Sequence, residues 1–193
     1  MKLIVGLGNP GRQYADSRHN IGFQVARALL KEYCCVLRRD SATRSFYSSI
    51  RIKGERVIVA LPLTFMNLSG TAVAALVRAH RLKNHDLLVV CDDMNLEFGR
   101  LKIRPSGSSG GHKGLGSIID ALGSMDFCRL RIGVGKAPAA IDASDYVLSS
   151  FTKKERKALP AILEESIACC RTWVEEGIDL SMGIFNRRKN QEQ

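Results

Sequence analysis

Short apolar runs rich in valine and isoleucine recur along the 193-residue chain and are typical of buried β-strands. The longer segments between them repeat apolar residues every three or four positions, as amphipathic helices do. Because strands and helices alternate, the pattern predicts one three-layer α/β domain over residues 1–186, with helices flanking the sheet. The predicted strands are "KLIVGL", "SFYSSIRI", "RVIVALP", "DLLVVC" and "CRLRIGVG".

Helical periodicity is found in four segments between and after these strands. The strands "SFYSSIRI" and "RVIVALP" are separated by only a few residues, which predicts a hairpin and makes a mostly parallel sheet mixed. Residues 187–193 are polar and basic and predict a frayed tail. The helical segments are marked by Val25, Ala28 and Leu29, by Val73, Leu76, Val77 and His80, by Leu115, Ile118, Ile119 and Leu122, and by Leu163, Ile167, Cys170 and Val174.

The chain carries 29 Lys and Arg residues against 19 Asp and Glu residues, a formal charge of +10. This excess favours a polyanionic partner, although a generally solvated basic surface would give the same count. We find neither a signal-peptide core nor an apolar run long enough to span a membrane, so we expect a cytoplasmic protein without a membrane partner. The six cysteines show no C-x-x-C spacing, which favours reduced, mostly buried thiols.

The stretch "IVGLGNPG", Ile4 to Gly11, fits the G-x-G-x-x-G pattern of dinucleotide-binding folds. In those folds a helix begins inside the motif, so that its N-terminus meets the pyrophosphate. Here a polar loop delays helical periodicity until near Ile21, with Asp16 or Ser17 as the predicted N-cap. We therefore interpret the glycines as letting the backbone approach another ligand closely, with Asn9 turned into the cleft.

Polar residues follow three of the predicted strands, where ligands gather in open α/β sheets. His19 offers a general base suited to neutral pH, and the carboxylate of Asp92 would fix its tautomer and favour the imidazolium. The amides of Asn9 and Asn67 could stabilise an oxyanion. Because no G-x-S-x-G elbow is present, direct attack by an activated water is the simplest scheme. The same loops also carry Tyr14, Thr64, Phe65, Met66 and Asp93.

A metal site is the competing use of these residues. Asp92, Asp93, His19 and His112 offer carboxylate and imidazole ligands, but no H-x-x-x-H or EF-hand spacing supports a metal. We therefore expect neither a metal nor a cofactor.

The segment "RPSGSSGGHKGLGSIIDALG" places glycine and serine just before an amphipathic helix. Its backbone N–H groups and the helix dipole favour a phosphate or carboxylate, although a mobile lid or flexible linker would have a similar composition. It is not a Walker A loop, because His112 stands in place of a glycine and no Ser or Thr follows Lys113. The cationic residues beside the loop, a candidate phosphate patch, are Lys102, Arg104, Arg129 and Arg131.

Several long blocks of the chain stand in the order and spacing of the signature blocks of bacterial peptidyl-tRNA hydrolases. They are "GLGNPG", Tyr14, "RHNIGF", "LPLTFMNLSG", "DDMNLEFGRLKIRPSGSSGGHKG" and "RLRIGVG". The chain resembles that family from Lys2 to about Gly135. The resemblance implies a metal-independent, monomeric α/β enzyme that hydrolyses the ester joining a peptide to the 3′ ribose of tRNA.

The resemblance also implies roles for individual residues. It makes His19 the expected base and Asp92 its orienting partner, while Asn9 and Asn67 hold the substrate and the water. The partner is then peptidyl-tRNA, bound through its acceptor stem and 3′ end, with Arg104 and Arg131 on the 5′-phosphate. The expected substrate-binding residues are Asn9, Tyr14, Phe65, Met66, Asn67 and Lys113, and the expected phosphate-binding residues are Lys102, Arg104 and Arg131.

One departure from the family pattern concerns the sequence "GGHKGLGS", where the family usually has "GGHNGLKS". Lys113 replaces an asparagine, and a lysine cannot accept a hydrogen bond. We hypothesise that activity survives while Lys113 shifts affinity toward phosphate, because the other candidate residues remain, namely His19, Asp92, Asn9 and Asn67. The alternative is a non-catalytic RNA-binding protein on the same fold.

Overall fold

One mixed sheet runs through the protein. A computed structural model describes residues 1–187, so the predicted tail from residue 188 onward lies outside the described residues. Within the described part the sheet has seven strands, in the order β2-β3-β4-β1-β5-β7-β6. These strands are β1 (Lys2–Gly6), β2 (Arg38–Asp40), β3 (Ser45–Ile52), β4 (Glu55–Pro62), β5 (Leu87–Asp93), β6 (Leu101–Arg104) and β7 (Cys128–Gly133).

The centre of the sheet is parallel and its two sides are antiparallel. Strands β4, β1, β5 and β7 run in the same direction. Strand β3 returns against β4 as the predicted hairpin, and β6 lies antiparallel to β7. The predicted fold class is therefore confirmed. The carboxyl ends of the parallel strands meet at one edge, which is where ligands collect in such sheets.

Helices cover both faces of the sheet and enclose a separate apolar core on each face. The helices are α1 (Ile21–Glu32), α2 (Ser69–Ala79), α3 (Lys113–Leu122), α4 (Ala143–Leu148), α5 (Lys153–Glu176) and α6 (Ile178–Phe185). On one face, α1, α4 and α5 pack around the buried Trp173. On the other face, α2 and α3 pack on the inner strands. No helix in this described part is long and apolar enough to cross a membrane.

The first two glycines of the G-x-G-x-x-G pattern, Gly6 and Gly8, pack against α1. The prediction that the glycines let the backbone approach a ligand was therefore wrong for these two residues. A Cβ atom on Gly6 would stand 2.1 Å from the carbonyl oxygen of Gly22. A Cβ atom on Gly8 would stand 2.6 Å from the ring of Phe23. The glycines therefore let α1 lie directly on β1, which places the turn before α1 at the sheet edge.

The start of α1 also differs from its prediction. Neither Asp16 nor Ser17 caps the helix, because a 3₁₀ turn, Arg18–Asn20, lies between them and Ile21. The Ser17 hydroxyl donates instead to the carbonyl oxygen of Tyr14 at 2.8 Å. As a result, His19 lies within a tight turn at the sheet edge and not on the helix itself.

The outer edge of β6 is covered by an asparagine side chain. The amide of Asn186, just after α6, both accepts from the N–H of Ile103 at 2.8 Å and donates to its carbonyl oxygen at 3.0 Å. The side chain thus satisfies the N–H and carbonyl groups of Ile103, which would otherwise be free to pair with a further strand.

Candidate active site

A cleft of about 610 Å³ opens at the carboxyl ends of β1, β4 and β5. The loops that follow these strands supply most of the predicted site residues, as expected for a parallel sheet. The sequence-predicted residues that line it are Asn9, His19, Phe65, Met66, Asn67, Asp92, Lys113 and Arg131.

A buried imidazole–carboxylate pair lies on the floor of the cleft. The Nδ1 atom of His19 is 2.7 Å from Oδ1 of Asp92, and both side chains are at least nine-tenths buried. Because an ionised carboxylate only accepts hydrogen bonds, Nδ1 of His19 carries the proton and donates it. Nε2 is then left as an unprotonated acceptor, which is the arrangement a general base needs.

A second imidazole contacts the same carboxylate oxygen. His112 is the residue before α3, and its Nδ1 accepts from the backbone N–H groups of Gly114 at 3.1 Å and Leu115 at 3.2 Å. Its Nε2 must therefore carry a proton, which it directs to Oδ1 of Asp92 at 3.1 Å. The two imidazole rings lie 5.0 Å apart, centroid to centroid. Asp92 thus accepts hydrogen bonds from imidazole N–H groups on two sides.

These hydrogen bonds argue against the metal alternative. His19, Asp92 and His112 bring three potential ligand atoms within 4.8 Å of one another. In the tautomers assigned above, the nitrogen atoms nearest to Asp92 carry protons, so a metal would have to displace these protons to bind there. Asp93, the fourth predicted ligand, pairs instead with Arg131 at 2.5 Å. The donor set is compatible with a metal, but its hydrogen bonding favours proton transfer.

The ionisation of Asp92 depends on its two imidazole partners. Burial on its own would raise the pKa of this carboxyl group, because a charge is poorly solvated inside a protein. His112 and His19 outweigh that effect and hold the pKa of Asp92 well below its ordinary value. The carboxylate is therefore charged at neutral pH, as the donor assignments above require.

Asn9 is held rigidly, with one amide group left for a ligand. Its backbone N–H donates to Oδ1 of Asn20 at 2.8 Å, and its carbonyl oxygen accepts from Nδ2 of Asn20 at 3.0 Å. Its own Oδ1 accepts from the backbone N–H of Met66 at 2.8 Å. Within residues 1–187 only its Nδ2 lacks a hydrogen-bond partner, so Asn9 offers a donor to the cleft.

The remaining predicted substrate contacts divide into two groups. Phe65, Asn67 and Lys113 are exposed residues that line the cleft, and Met66 lines it from a buried position. Tyr14 is half-buried in an earlier 3₁₀ turn and is not among the residues that line this cleft. The structure therefore brings all of the predicted substrate residues except Tyr14 to one surface.

The predicted cationic residues share one face of the sheet edge formed by β6 and β7. Lys102 is paired in register with Arg131, and Arg104 with Arg129, so all four side chains leave the same face. Arg129 is only 2% exposed and therefore does not belong to the accessible patch. Arg131 lines the cleft, while Lys102 and Arg104 lie beyond its lining.

Comparison with known proteins identifies the family of this chain. The family model described as peptidyl-tRNA hydrolase matches residues 3–193. The chain belongs to the peptidyl-tRNA hydrolase family. It is 50% identical over 186 residues to the peptidyl-tRNA hydrolase of Desulforudis audaxviator, with 96% of this chain and 93% of that relative covered. It is 45% identical over 189 residues to that of Rhodopirellula baltica, with 96% and 97% covered.

Solved structures of the family share the fold closely. A crystal structure of peptidyl-tRNA hydrolase from Acinetobacter baumannii aligns with a TM-score of 0.90 at 30% sequence identity. The alignment covers 96% of this chain and 94% of that one. The resemblance inferred from the sequence blocks is therefore confirmed.

The sequence analysis did not identify the buried residues that hold the turn of His19 in place. Arg18, next to His19, is buried and donates to Oγ and the carbonyl oxygen of Ser149, the carbonyl oxygen of Ser150 and a carboxylate oxygen of Glu155. It ties the turn of His19 to the junction of α4 and α5. The only sequence feature that could have identified Arg18 and Asn20 as supporting residues is their place inside the block "RHNIGF".

Proposed function

We propose that this protein hydrolyses the ester bond of peptidyl-tRNA through a water molecule activated by His19. The observation that carries the proposal is the free Nε2 of His19, since its Nδ1 donates to the buried carboxylate of Asp92. Membership of the family supports the same substrate. An intact pair of this kind gives no support to the alternative of an RNA-binding protein without catalysis.

The reaction needs a single base that first takes up and then returns a proton. Nε2 of His19 removes a proton from water as the water oxygen attacks the ester carbonyl carbon. The tetrahedral intermediate then collapses, and the proton on Nε2 passes to the 3′ oxygen of the ribose as its bond to carbon breaks. The products are the free peptide acid and tRNA. Asp92 stabilises the transient imidazolium, because its charge lies 2.7 Å away.

Two amides are positioned to serve the substrate. Nδ2 of Asn9 is a free donor on a residue whose backbone is held by Asn20 and whose side chain is held by Met66, so little entropy is lost when it binds. Asn67 is exposed on the neighbouring turn and contributes a second amide. In this proposal they bind the substrate and stabilise the developing oxyanion. The exposed Phe65 and the buried Met66 form an apolar wall for the peptide.

The tRNA is proposed to bind through its acceptor stem and 3′ end, with its 5′-phosphate on Arg104 and Arg131 and with Lys102 beside them. Support comes from their common face on β6 and β7 and from the net positive charge of the chain. We further propose that residues 1–186 act as a single domain and as a monomer. The substrate arises from translation, so the proposed location is the cytoplasm.

The deciding experiment is hydrolysis of an N-blocked aminoacyl-tRNA by the purified protein in excess EDTA. We expect release of the blocked amino acid at the same rate with and without the chelator, because no step requires a metal. Spontaneous hydrolysis without protein sets the background. Activity that EDTA removes and zinc or magnesium restores would contradict the scheme. Binding of tRNA without any release would favour the non-catalytic alternative.

A substitution at Lys113 tests whether the asparagine of the family pattern is needed for turnover. Lys113→Asn is expected to change the turnover number by less than about tenfold, because His19, Asp92 and Asn9 are untouched. The same substitution should weaken tRNA binding, since it removes an exposed cation that lines the cleft. Turnover and KM measured on one tRNA preparation separate the two effects. A rise in turnover of several orders of magnitude would show that Lys113 had impaired the enzyme.

A further inference from the structure

Residues 105–111, in the loop between β6 and α3, are supported from below by a buried arginine. We refer to this segment as the glycine loop. Arg129 of β7 lies beneath it, is 2% exposed and stacks 4.2 Å from the ring of Phe127. Its guanidinium therefore fixes loop carbonyl oxygens in an inward direction. The carbonyl oxygens that accept from Arg129 belong to Gly107, Ser108, Met125 and Phe127.

The N–H groups of the glycine loop are left without acceptors. Within residues 1–187, none of the backbone N–H groups from Ser106 to Gly111 donates a hydrogen bond. Ser108, Gly110 and Gly111 are exposed, so this part of the loop is accessible to a ligand. A run of backbone N–H groups that is free of internal partners is a favourable binding surface for an anion. Its carbonyl oxygens, which would repel an anion, are partly taken up by Arg129.

The charges around the loop favour an anion for an independent reason. Arg129 is buried, yet in the described part of the chain its only hydrogen-bond acceptors are neutral carbonyl oxygens and it forms no ion pair. A buried cation without a counter-ion is unfavourable. Lys102 and Arg104 add charge of the same sign on the same face, and nearby Asp93 forms an ion pair with Arg131. The carboxylate of Asp126 acts on Arg129 without forming an ion pair with it, so a bound anion would supply the close negative charge that the guanidinium lacks.

We propose that the glycine loop is a second phosphate site for the RNA backbone, with its N–H groups as ligands and Arg129 as the positioning residue beneath them. The inference rests on the proposed function, because the phosphate belongs to the bound tRNA. It goes beyond the clamp of Arg104 and Arg131 by adding neutral backbone donors. The N-terminus of α3 does not contribute, since His112 already accepts its N–H groups.

Gly111→Ala tests the site without changing any charge. Gly111 has a φ of 83°, and a Cβ atom built there meets nothing within 4 Å. The methyl group and the backbone strain then act on the face offered to the phosphate. We expect the Kd for an RNA hairpin carrying a tRNA acceptor stem, a 5′-phosphate and an unesterified 3′ end to rise about tenfold, the loss of one charged hydrogen bond.

Gly123→Ala is the matched control. Gly123 lies at the other end of α3, also has a left-handed φ, 64°, and also has open space around its Cβ position. It should bear the same strain and leave RNA binding unchanged. Equal Kd values for Gly111→Ala and the unmodified protein would overturn the inference. The hairpin carries no ester, so this result is independent of whether the protein hydrolyses peptidyl-tRNA.

Arg129→Met tests the support beneath the loop. We expect weaker binding of the hairpin and a salt dependence of log Kd that is flatter by about one unit, as for loss of one cation near a phosphate. The hairpin carries no ester, so this binding result does not depend on the chemistry of His19. A folded Arg129→Met protein with unchanged affinity and salt slope would contradict the proposal. If the variant does not fold, Gly111→Ala decides the question.

Discussion

His19→Ala is expected to reduce the turnover of peptidyl-tRNA by about 10² to 10⁴-fold and to leave tRNA binding nearly unchanged. The reason is that Nε2 takes up a proton only as water attacks, so its contribution is made in the transition state and not in the bound substrate. Single-turnover hydrolysis and an independent measurement of tRNA affinity separate the two quantities.

The control for this prediction is His85→Ala, at an exposed histidine of the 3₁₀ turn before β5. It removes the same side chain far from the cleft and should leave turnover and affinity as they were. A parallel fall in turnover and tRNA affinity for His19→Ala would instead identify His19 as a structural residue. Residual activity above a tenth of the unmodified rate would exclude it as the base.

Gly22→Ala is expected to destabilise the protein by about 3 kcal/mol or more, at the upper end of the range for overpacked cores. A Cβ atom at this position of α1 would lie 2.3 Å from the carbonyl oxygen of Val90 and 2.5 Å from the backbone nitrogen of Leu7. Both are backbone atoms of the sheet edge, so neither can rotate away. Denaturant unfolding monitored at Trp173 measures the loss, because that side chain is buried in the core.

Gly183→Ala provides the comparison, because Gly183 is also a helical glycine, in α6, but has open space around its Cβ position. Alanine is favoured over glycine in a helix by about 1 kcal/mol, so this variant should be slightly more stable than the unmodified protein. A Gly22→Ala protein as stable as Gly183→Ala would mean that α1 can move away from β1 at little energetic cost. The glycine pattern would then need another explanation.

The long elements of the fold were predictable because their hydrophobic patterns are strong. Every residue of β5 is buried, and its continuous apolar run is typical of a central parallel strand. The short strands β2 and β6 were not predicted. β2 consists of Arg38, Arg39 and Asp40, which carry no apolar signal, and it forms because β3 offers an unpaired edge.

The candidate site was predictable as a set of residues but not as a hydrogen-bond network. The chemistry of His19 and Asp92 suggested a pair, and the order of the strands explains why they meet. The role of His112 depends on how a loop 20 residues after Asp92 returns to the cleft, which no local pattern encodes. Arg129 was assigned to the candidate phosphate patch beside this loop, whereas in the fold its side chain is buried and donates to carbonyl oxygens of the glycine loop.

The ion pair between Asp93 and Arg131 has a consequence for product release. Peptidyl-tRNA and free tRNA carry the same phosphates, so a contact to phosphate holds both equally and does not by itself accelerate the chemical step. On the proposed binding mode, a phosphate must share the Arg131 guanidinium with Asp93 or displace that carboxylate. When the tRNA leaves, Asp93 is in place to take up the freed guanidinium. On this binding mode we expect the carboxylate to shorten the residence time of the tRNA product, because it competes with the phosphate for Arg131.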